Sequence, residues 1–79
     1  MIIGQLVQDV EKDGSWYYGV VVAKYDRITL IRNERGGSTS YTDEDTDLVA
    51  GGTVKGITLN GQPVMAKKNI FGRYKFPKH

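Results

Sequence analysis

Hydrophobic and polar positions along the chain favour short β-strands over helices. Valine, isoleucine, threonine and tyrosine recur throughout, and apolar residues do not repeat at the three-to-four spacing of a helix. Five segments have the composition of strands: Ile2–Val10, Trp16–Tyr25, Arg27–Asn33, Thr53–Leu59 and Gln62–Ile70. The second segment is apolar on both faces, which predicts a central position in the sheet.

Turn signals separate several of these segments. Asp13-Gly14 supplies the backbone freedom for a reversal after the first strand, and a tight turn is expected at Asp26. Asn60-Gly61 lies between two apolar segments, an arrangement typical of a two-residue hairpin with a type I′ turn. From Glu34 to Gly52 the sequence is polar and glycine-rich, so we expect a long connection there rather than a hairpin.

This order of elements predicts an all-β domain. A three-stranded meander, a long connection, a hairpin and a basic tail fit a small five-stranded barrel of the OB-fold type, with an SH3-like barrel as the alternative. We expect the barrel to occupy residues 1–70 and a basic-aromatic C-terminal tail to occupy residues 71–79. A chain of 79 residues is near the lower size limit for a hydrophobic core, so it depends on tight packing or on a homo-oligomer.

Composition narrows the class of protein further. The chain has no cysteine, which excludes disulfides and thiolate metal sites and favours a cytoplasmic location. The longest apolar run, Val20–Ala23, is far shorter than the roughly 20 residues that span a bilayer. The N-terminal segment does not have the pattern of a secretion signal. We therefore expect no membrane partner.

The formal net charge of +2 conceals an uneven distribution. Residues 1–40 are balanced, with five basic and five acidic side chains. Residues 41–50 contain four acidic residues and no basic one, whereas residues 51–79 contain six basic residues and no acidic one. This asymmetry favours an anionic partner for the C-terminal third of the chain.

Several stretches resemble the cold-shock domain family of OB-fold barrels. "IIGQLV" is similar to the family's opening glycine among alternating apolar residues, and "EKDGSWYYGVVV" to its turn and aromatic strand around a glycine. "LVAGGTVKGITLNGQPVMAKKNI" follows the family's later half in order and spacing. The resemblance covers about residues 2–70. A weaker similarity joins "DGSWYYG" to the tryptophan strand of SH3-like domains, whose opening acidic-aromatic loop is missing here.

The cold-shock resemblance implies a barrel that binds single strands, with aromatic rings of its second and third strands stacked on bases. The matching positions are Tyr18 and Val20 in the second strand, then Thr29 and Ile31 in the third. Only Tyr18 keeps an aromatic ring among these four.

The stretch "YTDEDTD" places three aspartates at the spacing of a calcium loop. Asp43, Asp45 and Asp47 fit positions one, three and five of an EF-hand loop. That loop also requires a glycine at position six and a glutamate at position twelve, where this chain has Leu48 and Val54. We therefore expect no metal site.

Two interpretations of the acidic stretch stay open. Asp43, Glu44, Asp45 and Asp47 either keep a long connection solvated and repel nucleic acid, or imitate a phosphate backbone and bind a basic partner protein.

The C-terminal stretch "AKKNIFGRYKFPKH" interleaves cations with aromatic rings, as single-strand binders do. Together with the rings of "WYY" it gives the predicted nucleic-acid-binding set: Trp16, Tyr17, Tyr18, Lys67, Lys68, Phe71, Arg73, Lys75 and Lys78. Alternation along an extended strand would place Phe71 and Lys75 opposite Tyr74 and Phe76. The alternatives are a solvated closing strand and aromatic rings that fill the core.

The sequence has few catalytic groups. Its one histidine, His79, is the last residue, where we expect nothing to hold it, so the serines lack a histidine base. "RGGS" lacks the lysine and helix of a phosphate-binding loop. We therefore expect no enzymatic activity and no cofactor.

The function predicted from sequence is a non-catalytic module that binds single-stranded DNA or RNA mainly through the backbone, with little sequence preference. The alternative is a protein-interaction or inhibitory accessory protein, of the kind found in phages and mobile elements, that uses the acidic stretch or exposed aromatic residues.

Overall fold

The computed structural model describes residues 1–42 and 52–79, and all regular structure within these ranges is β. The strands are β1 (Leu6–Val10), β2 (Trp16–Lys24), β3 (Ile28–Asn33), β4 (Ser38–Thr42), β5 (Thr53–Gly56), β6 (Thr58–Leu59), β7 (Gln62–Pro63), β8 (Lys67–Lys68) and β9 (Tyr74–Lys75).

Five of these strands form one antiparallel sheet in the order β4-β3-β2-β1-β5, and the sheet curls into a half-barrel. The prediction of an all-β fold of the small five-stranded barrel type is confirmed. The apolar strand β2 lies at the centre of the sheet, as its sequence predicted. Two short hairpins, β6–β7 and β8–β9, accompany the sheet.

The expected long connection from residue 34 to residue 52 is wrong in its first part, because β4 lies there. The four residues 34–37 return the chain after Asn33, and β4 pairs along β3 from Arg32↔Ser38 to Ile28↔Thr42. The polar side chains of β4 gave no strand signal. They are tolerated because β4 is an edge strand of the sheet.

Within residues 1–42 and 52–79, three hairpins share this loop geometry: β1–β2, β3–β4 and β8–β9. In each, the residue that opens the turn (Glu11, Asn33 or Asn69) donates its N–H to the carbonyl of the residue four positions later, at 2.8–2.9 Å. In each, a glycine at the fourth position has a positive φ, between 76° and 88°. This is a type I turn followed by a left-handed residue, a conformation that glycine adopts without strain.

The N-terminal segment is paired on both sides. Gly4 donates its N–H to the Val21 carbonyl at 2.7 Å, while Ala66 donates to the Gly4 carbonyl and Leu6 to the Val64 carbonyl at 2.7 and 2.8 Å. Residues 64–66 therefore pair with residues 4–6 on the side of the N-terminal segment where β5 pairs with β1. The expected strand 2–10 is shorter in the structure, because β1 begins at Leu6.

The Asn60-Gly61 hairpin is confirmed, and it joins two strands shorter than expected. Both turn residues have positive φ, 53° and 77°. The expected strand 53–59 divides into β5 and β6, and the expected strand 62–70 leaves only β7 and β8. The boundary expected after residue 70 falls within the turn that joins β8 to β9.

The core lies on the concave face of the sheet. Its buried cluster consists of Val7, Val21, Ile31, Tyr41 and Val54. A Cβ at Gly19 would lie 2.8 Å from the Ile31 side chain and 3.2 Å from that of Val7, so this glycine lets the two residues approach each other. Full burial of each large apolar side chain contributes about 1.5–3 kcal/mol.

A buried hydrogen bond joins two strands that are not neighbours in the sheet. The hydroxyl of Tyr41 on β4 donates to Oδ1 of Asp9 on β1 at 2.5 Å, and the exposed fractions of the two residues are 3% and 4%. β2 and β3 lie between them in the sheet order, so the bond crosses the concave face. Burial, and then the hydrogen bond to Asp9, raise the pKa of Tyr41 well above its ordinary value of 10.0.

We predict that Tyr41→Phe lowers the free energy of unfolding by about 1.5–3 kcal/mol, because Asp9 then stays buried without this hydrogen bond. The raised pKa contributes stability that is fully present below about pH 10 and is lost as pH rises further, since the unfolded chain ionises first. Urea denaturation from pH 7 to pH 11 measures both effects.

In this experiment the stability difference between the unmodified chain and Tyr41→Phe should shrink above pH 10. Tyr25→Phe is the control, because Tyr25 is 62% exposed. Equal stability of the Tyr41→Phe variant and the unmodified chain at pH 7 would contradict the role of the bond.

Candidate functional site

The β8–β9 hairpin is strongly basic. Lys67 and Lys75 are direct cross-strand partners, and Lys68 is opposite Tyr74, with its Nζ 5.0 Å from the ring centroid. Arg73 is the last residue of the connecting turn and is exposed. Four predicted cations are thus gathered on one two-stranded ribbon, whereas the sequence-based prediction divided them between the strand 62–70 and the tail 71–79.

The tip of this hairpin presents two apolar side chains to solvent. Ile70 is 94% exposed and Phe71 is 80% exposed. The Asn69 side chain fixes the turn, because its Oδ1 accepts the N–H of Phe71 at 2.9 Å and that of Arg73 at 3.0 Å. Phe71 is therefore held outward on an ordered turn.

The two other hairpins with the same loop geometry have charged tips. Lys12 and Asp13 occupy the corresponding positions between β1 and β2, and Glu34 and Arg35 occupy them between β3 and β4. Loop geometry therefore does not require an apolar tip. The Ile70-Phe71 pair is a local feature of the basic hairpin.

A groove of about 550 Å³ runs between this hairpin and the convex face of the sheet. Arg32 of β3 and Arg73 of the turn line it, together with the rings of Tyr74 and Phe76. Within residues 1–42 and 52–79, no acidic side chain forms an ion pair with either arginine. The groove combines two guanidinium groups with two aromatic rings.

Sequence reasoning missed Arg32 as a member of this site. The signal was present in strand register, because Arg32 is the cross-strand partner of Val20 and shares its face of the sheet. Register alone does not place Arg32 in the site, because the groove forms only where the C-terminal segment covers that face.

The aromatic residues of β2 lie on both faces of the sheet. Trp16 and Tyr18 lie on the convex face with their ring centroids 4.6 Å apart in an edge-on arrangement. Tyr17 points to the other face, where its hydroxyl accepts a hydrogen bond from Arg35 at 2.9 Å, and the guanidinium carbon lies 5.1 Å from its ring centroid.

The expectation that nothing holds His79 is wrong. Its ring centroid lies 4.7 Å from that of Trp16 and 5.0 Å from that of Tyr18. Its Nε2 is hydrogen-bonded to Oε1 of Glu34, which also accepts the backbone N–H of Tyr18. A base that stacks on Trp16 or Tyr18 must therefore share the rings with His79 or displace it.

The alternative partner-binding residues Asp43, Glu44, Asp45 and Asp47 lie outside the described residues. Within the described ranges, no three histidine or acidic side chains are grouped closely enough to hold a metal ion. The same ranges contain no helix long and apolar enough to cross a membrane.

Comparison with models of protein families, with curated proteins and with solved structures finds no match for this chain.

We predict that His79→Ala uncovers the rings of Trp16 and Tyr18. Because Trp16 is the one tryptophan of the chain, acrylamide quenching of its fluorescence should increase. Loss of the ring contacts should lower the free energy of unfolding by about 0.5–1.5 kcal/mol. Lys78→Ala is the control, and equal quenching in both variants would show that His79 does not cover Trp16 in solution.

Proposed function

We propose that this protein is a non-catalytic cytoplasmic module that binds single-stranded nucleic acid. It contacts mainly the sugar-phosphate backbone of the nucleic acid and has little sequence preference. The observation that supports this function best is the groove between β3 and the β8–β9 hairpin, where two arginines lie beside two aromatic rings and, within residues 1–42 and 52–79, have no acidic partner. Single-strand binding needs both kinds of group, cations for phosphates and flat rings for bases. The cytoplasmic location rests on the absence of cysteine.

The arginines give the groove its attraction for phosphate. A guanidinium group is planar, remains charged at physiological pH and can donate two parallel hydrogen bonds to phosphate oxygens. Arg32 and Arg73 come from different elements, a sheet strand and a hairpin turn. A single strand of nucleic acid lying in the groove would contact one cation from each wall.

The β8–β9 hairpin extends this surface beyond the groove. Lys67, Lys68 and Lys75 add positive charge along its two strands, and Lys78 follows it in sequence. Phe71, held outward at the tip, offers an exposed ring to a base. Trp16, Tyr17 and Tyr18 are half-buried and already have ring or cation partners, so in this proposal they contribute less than Phe71.

Weak sequence preference follows from the side chains that line the groove. They are aliphatic, aromatic or arginine, with no amide or carboxyl side chain among the lining residues. Asparagine, glutamine, acidic side chains and arginine can all read base edges through hydrogen bonds, but in this proposal both arginines are engaged by phosphates. Stacking on a ring tolerates every base.

We predict that a short single-stranded oligonucleotide binds with an affinity that falls as salt rises, measured by fluorescence anisotropy over a salt series. Each phosphate contact to a single strand contributes about 0.7 to the slope of log K against log salt. The double variant Arg32→Gln/Arg73→Gln should therefore reduce the slope by about 1.4. Lys12→Gln, in the β1–β2 loop, is the control for a charge change elsewhere.

Stacking is tested separately with Phe71→Ala, which should weaken binding by about 1–3 kcal/mol if the ring carries a base. Tyr25→Ala removes an exposed ring from another part of the surface and should leave affinity unchanged. No binding, or binding that does not respond to salt, would refute the proposed function. An effect of Phe71→Ala no larger than that of Tyr25→Ala would remove Phe71 from the site.

A further inference from the structure

A second cavity, of about 380 Å³, is lined in part by the segment that follows β9. Its walls are mainly apolar and include Leu6, Val64, Ala66 and Phe76. The backbone hydrogen bonds between residues 4–6 and residues 64–66 fix one wall. Ligand pockets in proteins are usually of this size, from about 300 to 1,000 Å³, and mostly apolar.

Three lysines, Lys67, Lys75 and Lys78, also line this cavity. Lys67 and Lys75 are direct cross-strand partners, and like charges in that position destabilise a sheet. Within residues 1–42 and 52–79, no carboxylate forms an ion pair with any of the three. An anionic group between the ammonium groups would relieve their repulsion.

The lining also limits what the rest of the ligand can be. A nucleobase has polar edges that need hydrogen-bond partners when they leave water. Apart from the three ammonium groups, the side chains of the lining are aliphatic, aromatic, proline or methionine, and they offer no strong hydrogen-bonding group. A hydrocarbon body has no such requirement, and its burial is favourable.

We propose that this cavity binds an amphipathic anion, a hydrocarbon chain that ends in one carboxylate, as in a medium-chain fatty acid. The chain occupies the space between Leu6, Ala66 and Phe76, and the carboxylate lies between Lys67 and Lys75. This site shares Phe76 with the arginine-lined groove and its lysines with the proposed nucleic-acid surface, but the inference does not rest on nucleic-acid binding.

The test is isothermal titration calorimetry with octanoate and decanoate below their micelle-forming concentrations, with 1-octanol and acetate as partial ligands. Each added methylene should strengthen binding about fourfold while the chain still fits. Octanol and acetate should each bind at least about tenfold more weakly than octanoate, because each lacks one half of the interaction.

Two variants of the chain locate the site. Lys67→Gln/Lys75→Gln should weaken decanoate binding about tenfold while leaving octanol binding unchanged. Ala66→Phe fills the cavity and should abolish the binding of both decanoate and octanol. Lys12→Gln should bind decanoate as the unmodified chain does. Circular dichroism checks that each variant folds. If Ala66→Phe does not fold, the double variant Lys67→Gln/Lys75→Gln tests the position of the site on its own.

Absence of saturable decanoate binding would overturn this proposal, as would equal binding of octanoate and octanol. Tighter binding of thymidine monophosphate than of decanoate would also overturn it and would assign the cavity to nucleotides. An affinity that depends on the length of the hydrocarbon chain distinguishes fatty-acid binding from oligonucleotide binding, because phosphate contacts do not produce such a dependence. Either site can therefore fail without the other.

Discussion

The hydrogen bond between Tyr41 and Asp9 is the constraint on which the shape of this domain depends. It joins the edge strand β4 to β1 across the concave face, over the two strands that separate them. A flat sheet would keep these strands too far apart for such a bond, since neighbouring strands are about 4.8 Å apart. Gly19 supports the same curvature by letting Ile31 and Val7 approach each other.

Curvature of the sheet decides where the C-terminal third of the chain can pack. Val7 and Val21 fill the concave side, so their neighbours Leu6 and Val20 point to the convex side. Both are buried, and Phe76 shares a cavity lining with each of them. The basic hairpin and the segment after it are thereby placed against the sheet, and Phe76 lines both the groove and the cavity.

Sequence patterns predicted the parts of the fold that depend on local signals. The central strand β2, the tight turn at Asp26 and the Asn60-Gly61 hairpin follow from apolar alternation and from turn chemistry. Strands β4 and β9 were missed because they are short and polar. Their signal was in the loops, since "NERGG" and "NIFGR" both place asparagine three residues before a left-handed glycine.

The candidate site was predictable only in part. The cations of β8 and β9 were recognised from composition, but their antiparallel pairing depends on the turn that Asn69 fixes. Arg32 and His79 join the convex surface through contacts between residues far apart in sequence, and no local pattern indicates such contacts. Periodicity predicts which face a side chain occupies and leaves open which segment covers that face.

We propose that single-stranded nucleic acid lies in the groove between β3 and the β8–β9 hairpin. Amide chemical-shift mapping by NMR, with a short oligonucleotide titrated into the labelled protein, tests it most directly. We expect the largest changes at Arg32 and between Lys67 and Phe76, with small changes in the β1–β2 loop. Changes concentrated instead at the edge strand β4, or spread evenly over the surface, would contradict it.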